Sequence, residues 1–187
     1  RSVGMAIAMQ GSGISGVDVG GATVKLTDEG RFSLVIGAAD MGTGCDTILA
    51  QMVAECMECT VDDVTVYSAD SDMSPYDSGS YASSTTYVTG NAVVRACETL
   101  KDKICTEGAA MLGVNKEDVV YENDEVRCLK DSRKVSLEQI ATASMCGSND
   151  ALQVTETASL PSSPPPFMVG MVETEIDRET GELKIID

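Results

Sequence analysis

Asp40-Met41-Gly42-Thr43-Gly44-Cys45-Asp46-Thr47 is a glycine-rich turn that runs straight into a helical segment. Glycines adopt left-handed or strained backbone that other residues avoid, so the main-chain N–H groups of Thr43, Gly44 and Cys45 can converge on one point. The first N–H groups of a helix lack intrahelical partners and carry the positive end of its dipole, which makes such a junction a natural anion site. From Asp46 to about Glu58, the apolar residues Ile48, Leu49, Met52, Val53 and Cys56 recur at three- and four-residue spacing and mark one buried helical face. Asp46 and Thr47 suit its N-terminus chemically. A second polar loop, from Asp70 to Thr86, runs into a second helix, so two helix mouths can face one ligand.

Composition narrows what that ligand can be. The 187 residues fit one large domain or two small lobes, 1–113 and 114–187, and 43% hydrophobic residues suffice for a packed core. With 30 acidic against 13 basic residues the formal charge is −17, which repels nucleic-acid phosphates and anionic membrane surfaces. A phosphorylated ligand must therefore be held by local backbone dipoles. The seven cysteines, Cys45, Cys56, Cys59, Cys97, Cys105, Cys128 and Cys146, are odd in number and scattered. That argues against a disulfide framework and for a reducing compartment, with the cytoplasm as the default. Cys56-Met57-Glu58-Cys59 has the C-x-x-C spacing but no second pair, and the chain has no histidine to complete a zinc site. A buried helix end is the better reading. No run reaches the ~20 apolar residues of a membrane span, and no cleavable signal opens the chain. Starting at Arg1, it reads as cut from something longer.

Taken in order, Val3 to Gln10 reads as a buried strand, an uncharged run of valine, methionine, isoleucine and alanines. Gly11-Ser12-Gly13-Ile14-Ser15-Gly16 spells G-x-G-x-x-G, but a dinucleotide fingerprint opens a helix, and the continuation Val17 to Leu26 is strand-like. The loop can still sit close to a ligand. Thr23–Leu26 and Phe32–Ile36 flank a glycine-containing turn and predict a hairpin. A strand is expected at Val64–Ser68. Asp70 and Asp72 begin a calcium-like pattern that fails at Pro75 and Tyr81, leaving acidic residues that cap a turn. A long helix from about Ser84 to Leu112 carries Val88, Ala92, Ala96, Leu100 and Ile104 on one face. Gly90 interrupts it and marks close packing or a ligand, and Gly113 is its stop. Strands at Val119–Glu122 and Glu125–Leu129 pair across Asn123-Asp124, and a box-like Ser136-Leu137-Glu138-Gln139 opens a helix to Met145. A turn over 146–150 precedes a strand around Leu152–Ala158. Ser159 to Pro166 is an extended loop, and Phe167–Ile176 with Glu182–Ile186 forms a closing hairpin. The mixture lacks regular β-α-β-α alternation, which predicts an α+β fold of mixed sheets with packed helices.

The residues resemble the molybdenum-binding subunit of the xanthine dehydrogenase and aldehyde oxidase family, the molybdenum hydroxylases. The resemblance rests on Asp40 to Thr47 followed by Leu49-Ala50-Gln51, then Ser71 to Tyr76 and Gly79 to Val93, and closes with Glu173 to Glu182. Order and spacing cover nearly the whole chain. The resemblance implies part of a larger domain that binds molybdenum held by a pterin dithiolene, often as the cytosine dinucleotide in bacterial members. Carried over by position, cofactor contacts fall on Gly42, Thr43, Gly44, Cys45, Asp46 and Thr47, and on Ser80, Tyr81, Ala82, Ser83 and Ser84. Many relatives have glutamine where Thr43 stands, and the shorter threonine puts a direct metal-side contact in doubt. The family hydroxylates a heterocycle or aldehyde with oxygen from water, using a glutamate base from a segment outside this chain. No catalytic residue or protein metal ligand is therefore assigned here, and the isolated stretch is expected to be inactive. FAD and iron–sulfur clusters are expected on partner domains or subunits, alongside the remainder of the molybdenum subunit and a small-molecule substrate. The competing reading is a non-catalytic acidic interaction module whose glycine loops are only turns.

Overall fold

The structure, a computed structural model, describes residues 1–148 and 151–187. Asn149 and Asp150 of the expected turn lie outside the described residues. The fold is α+β. Its centre is a four-stranded sheet built on the hairpin β2 (Gly20–Leu26) and β3 (Phe32–Ile36), antiparallel with Ala22 opposite Ile36 and Leu26 opposite Phe32. From β3 the chain passes through helix α1 (Cys45–Cys56) and returns as β4 (Val64–Ser68), parallel to β3. The far edge of β2 is taken by β8 (Gln153–Ala158), so the sheet order is β4-β3-β2-β8.

Helix α2 (Thr85–Leu112) crosses the sheet beside α1. Its apolar stripe of Val88, Ala92, Ala96, Leu100 and Ile104 is buried, as the spacing predicts, and from Ala92 onward it joins Ala22, Val24, Leu34, Ile36, Leu49 and Val53 in one continuous core. Fully burying a leucine- or isoleucine-sized side chain contributes about 1.5–3 kcal/mol, so a handful of these contacts outweighs any surface ion pair. Gly113 ends the helix in the left-handed region at φ 65°, where a glycine has no Cβ to clash.

Beyond Gly113, β5 (Val119–Glu122), β6 (Glu125–Cys128) and β7 (Lys134–Ser136) form a small antiparallel sheet. Asn123 and Asp124 both take positive φ, the conformation a tight two-residue hairpin turn demands. Ser136 caps α3 (Leu137–Ala143): its hydroxyl accepts from the Gln139 amide, and Gln139 Oε1 accepts from the Ser136 amide. The α-helix stops at Ala143 and a π-turn over Ser144–Ser148 follows. This unit packs on the second half of α2, where the absent Cβ of Gly108 makes room for Val126 and the Tyr121 hydroxyl donates to the Met57 carbonyl at 2.6 Å.

The third sheet corrects a sequence expectation. Strand β1 (Ser2–Met9) is a strand, but every residue of it is exposed. Among the described residues it pairs only with β9 (Phe167–Ile176), which pairs in turn with β10 (Leu183–Ile185). An uncharged run reads as buried because apolar residues usually are, yet this three-stranded ribbon has no described layer against either face. Val3, Met5, Ile7, Met9, Phe167, Val169 and Met171 share one of its faces. Strands from both sides of Gly113 share the central sheet and the ribbon alike, through β8 and β9. No helix among the described residues is long and apolar enough to cross a membrane.

Candidate functional site

Helices α1 and α2 lie side by side and run in the same direction. A Cβ placed on Gly90, early in α2, would lie 2.8 Å from Met52 Sδ and 3.8 Å from Leu49 Cδ2, near the start and middle of α1. Further along both, Lys101 Nζ of α2 reaches Glu58 Oε1, just past the end of α1, at 2.9 Å. Contacts that advance together on both helices mean parallel axes, which in packed pairs are about 8–10 Å apart. Both N-termini therefore open at one end of the pair. The glycine that interrupts the α2 pattern is what permits the approach.

At the mouth of α1, Gly42 and Gly44 hold positive φ of 99° and 72°, and Gly44 is the residue that begins the helix. Their amides do not stand free. Both donate to Asp40 Oδ1, at 2.8 and 3.1 Å. The Gly42 amide, then that of Gly44, holds the Asp40 carboxyl below its usual range. Asp46 Oδ2 accepts from Ser68 Oγ at 3.0 Å, and its Oδ1 takes the Cys45 thiol at 3.7 Å. Cys45 is buried, and burial first, then the charges of Asp46 and Asp40, raise its thiol pKa. Thr43 and Thr47 are exposed. The mouth thus behaves as an anion receptor, with the chain's own carboxylate in place.

The mouth of α2 is assembled from three loops. Gly79 at φ 98° and Ser83 at φ 58° shape the turn; Ser84 Oγ donates to the Gly79 carbonyl at 3.1 Å, and Ser80 and Thr85 share a hydroxyl hydrogen bond. Asp77 ties this turn to the helix, accepting from the Gly79 amide at 2.8 Å and from Thr89 Oγ1 at 2.7 Å. The G-x-G-x-x-G loop comes next to it: the Gly13 amide donates to the Ala82 carbonyl at 2.8 Å, and Gln10 Nε2 to Ser83 Oγ at 2.7 Å. The strand β2 that follows this loop removes the dinucleotide-fingerprint reading. The proline-rich stretch docks there too, through Ser163 Oγ to the Gly13 carbonyl at 2.7 Å and from the Ser12 amide at 3.0 Å. Tyr81 is exposed, and its contact with the Asp18 carboxylate raises its phenol pKa. Asp18 is 1% exposed; Oδ2 takes the Ile14 amide at 2.7 Å, while Oδ1 has no hydrogen-bond partner among the described residues.

A hollow of about 550 Å³ opens beside the first turns of α2, lined by Ser12, Met52, Ser83, Tyr87, Gly90 and Pro166. That volume is in the range of small-ligand sites. A larger one, about 960 Å³, lies at the opposite end of α2 between Met111, Leu112 and α3. A helix of 28 residues is about 40 Å long, so the larger hollow is remote from both mouths. Asp18, Asp77 and Ser163, which frame the α2 mouth, were not among the residues singled out from sequence. Only the glycine-rich string at Gly11–Gly16 signalled that a further loop approaches the site.

The chain is thus an α+β domain in which two helix mouths, each preceded by a glycine turn, open at one end of a parallel helix pair. The family model of the molybdopterin cofactor-binding domain matches residues 1–187, and the chain belongs to that family. The probable hypoxanthine oxidase XdhD of Escherichia coli (strain K12) is 37% identical over 183 residues, covering 97% of this chain and 19% of that protein. The putative xanthine dehydrogenase molybdenum-binding subunit XdhA of the same strain is 40% identical over 98 residues, or 52% of this chain and 13% of that one. Among solved structures, the CO dehydrogenase from Oligotropha carboxidovorans superposes with a TM-score of 0.86 at 23% identity, over 98% of this chain and 24% of that chain. The quinoline 2-oxidoreductase from Pseudomonas putida 86 gives 0.83 at 19% identity, over 99% and 26%. The chain spans about a fifth of the length of the curated relative that it matches along nearly its whole extent. The acidic-module reading is not favoured by these findings.

Proposed function

We propose that residues 1–187 are part of the molybdenum domain of a molybdenum hydroxylase and furnish two walls of its cofactor cradle. Gly42, Thr43, Gly44, Cys45, Asp46 and Thr47 form one wall, and Ser80, Tyr81, Ala82, Ser83 and Ser84 the other. The observation that carries this is the parallel packing of α1 and α2, which brings the two mouths to one end. The donor set fits such a group. It consists of first-turn amides, the hydroxyls of Thr43, Thr47, Ser80 and Ser83, and the orphaned Asp18 Oδ1 as an acceptor for an N–H donor. When bound, the molybdenum cofactor would supply the two-electron redox chemistry of a hydroxylation. The chain's own residues bind and orient it, and the part-buried Asp77–Thr89 and Asp18–Ile14 hydrogen bonds fix the loops that do so.

The same reading assigns the finer points. The cofactor is the cytosine dinucleotide form, the substrate is a heterocycle or aldehyde, and the base is a glutamate on another part of the polypeptide, so the isolated chain is inactive. FAD and iron–sulfur centres sit on partner domains or subunits, and the remainder of the molybdenum subunit covers the apolar ribbon of β1, β9 and β10. Seven free thiols suit a reducing cytoplasm. The test is the metal and pterin content of the full-length protein. Wild type is expected to hold about one molybdenum and one pterin per subunit, and Gly44→Val, which forces a branched side chain into φ 72°, to lose both while keeping its far-ultraviolet circular dichroism. Full occupancy in folded Gly44→Val protein would overturn the assignment of the α1 mouth.

A further inference from the structure

The C-x-x-C sequence has no part in the cradle, and the structure breaks it up. Cys56 is the last residue of α1 and Cys59 lies three residues on, in the turn past Glu58, whose φ is 54°. The partner of Cys56 is on the other helix. Seven residues after Leu49 comes Cys56, and seven residues after Gly90 comes Cys97; a seven-residue step returns to nearly the same face of a helix. Because Leu49 sits against Gly90 and the helices are parallel, Cys56 and Cys97 meet two turns further along. Lys101, one turn beyond Cys97, reaches Glu58, two residues beyond Cys56, at 2.9 Å, so the pair is bracketed by helix contacts on both sides. Cys97 is fully buried and Cys56 only partly so, which makes Cys56 the more accessible thiol of the two.

We propose that Cys56 and Cys97 are a reversible dithiol that a peroxide converts to a disulfide, locking α1 to α2. The contact with Cys97 draws Cys56 down to about 7, with Lys101 adding to the effect against burial and the charges of Glu98 and Glu55. Cys97 is pushed up by the Cys56 contact and by burial, so it stays protonated. Cys59 is raised to about 11 by burial, Asp63 and Asp124, and is the poorer nucleophile at neutral pH. The Cys56 thiolate attacks one oxygen of hydrogen peroxide, the O–O bond breaks, and the departing hydroxide takes a proton to leave as water. Cys56 then carries S–OH. The Cys97 sulfur attacks the Cys56 sulfur, the S–O bond breaks, and the hydroxide leaves with the Cys97 proton as a second water. Two thiols lose two electrons and the peroxide gains them. The inference does not depend on the cradle, since it uses only the far part of the same helix pair.

The test uses the full-length protein with Cys146→Ser, which removes the exposed thiol most prone to join two molecules. After treatment with hydrogen peroxide, trypsin leaves Cys56 in the fragment 32–95 and Cys97 in 96–101, because no Lys or Arg lies between Arg31 and Arg95. The two fragments are expected to be joined, with a loss of about 2 Da that dithiothreitol restores. Cleavage at Glu55 and Glu58 isolates residues 56–58 and separates Cys56 from Cys59 in the wild-type sequence, without relying on a variant to fold. The link should survive Cys59→Ser, vanish in Cys56→Ser, and raise Tm by on the order of 5–10 °C. A Cys56–Cys59 bond, a Cys59–Cys97 bond, or peroxide-treated protein with Cys56 and Cys97 unlinked would each overturn the proposal.

Discussion

Gly20→Ala tests whether the helix layer sits as close to the sheet as the site requires. Gly20 opens β2 under the first turns of α2, and a Cβ there would lie 2.6 Å from Thr89 Cα, 2.6 Å from Thr89 Oγ1 and 2.7 Å from Thr89 N. Carbon atoms rest at about 3.5–4.0 Å, so each contact falls short by roughly 1 Å. Two of the three atoms are helix backbone, which cannot rotate away. Relief requires α2 to lift from β2, and overpacking of this kind costs about 1–3 kcal/mol, with the upper end expected here. For a chain of this size about 3 kcal/mol lowers Tm by roughly 6–12 °C. Gly90→Ala is the matched control. Its Cβ would crowd the flexible end of Met52, Sδ at 2.8 Å and Cε at 3.0 Å, with Leu49 Cδ2 at an ordinary 3.8 Å, and alanine returns about 1 kcal/mol of helix propensity, so the net change should stay within about 1 kcal/mol. Urea unfolding followed by circular dichroism gives both numbers. Equal effects of the two substitutions, or a Gly20→Ala cost below about 1 kcal/mol, would refute the close approach of α2 to β2.

Three further outcomes are expected. Gly108→Ala brings a Cβ within 2.7 Å of Val126 Cγ1 and 2.8 Å of its Cβ, a stiff branched side chain on β6, and should cost about 1–3 kcal/mol by urea midpoint; a neutral result would mean that the small sheet is not seated on α2. Tyr121→Phe removes the donor to the Met57 carbonyl, an acceptor left over at the end of α1, and should cost about 1 kcal/mol with the m-value unchanged. Asp131 is held down at about 2 by its Arg133 hydrogen bonds, side chain first and then the amide. A depressed carboxyl stabilises the fold fully above its ordinary value of 3.8 and loses that contribution as pH falls toward 2. Asp131→Asn should therefore flatten the dependence of the urea midpoint on pH in that interval, and superimposable curves would count against it.

The elements that sequence made legible are those whose signal is local. The stripe from Val88 to Ile104 has helical spacing, Gly113 is a left-handed stop, and Asn123-Asp124 tolerates positive φ, so α2 and the β5–β6 hairpin are written in short windows. β7 was missed because Lys134-Val135-Ser136 offers one apolar residue and no alternation to count. β1 was recognised as a strand and misplaced as buried, because hydrophobicity reports a preference for cover and not which segment supplies it. The proline-rich stretch is legible as an extended loop, but nothing local announces that Ser163 ties it to Gly13 across 150 residues of sequence. At the site the two glycine turns were visible, but the contribution of Gly11–Gly16 to the α2 mouth depends on pairing between distant loops. The destination of the amides at the α1 mouth was equally hidden. Glycines announce a conformation and say nothing of which acceptor takes the freed N–H.

That acceptor explains how so acidic a chain builds its loops. Asp40, Asp70, Asp77, Asp131 and Asp177 each accept the amide two residues on, from Gly42, Asp72, Gly79, Arg133 and Glu179, at 2.8–3.0 Å. Such local bonds let an aspartate close a turn without help from the rest of the fold. Three of the five, at residues 40, 70 and 77, lie in the loops leading to the two mouths. Part of the net charge of −17 is thus built into the turns themselves, where carboxylates shape the loops that basic residues do not line. The consequence for recognition is specific. At the α1 mouth the Gly42 and Gly44 amides are committed to Asp40, so an anionic group that docks there either displaces that carboxylate or settles on the remaining first-turn amides. Either way, a carboxylate that competes for the same donors sets the strength of anion binding, and the glycine turn keeps its shape when the mouth is empty.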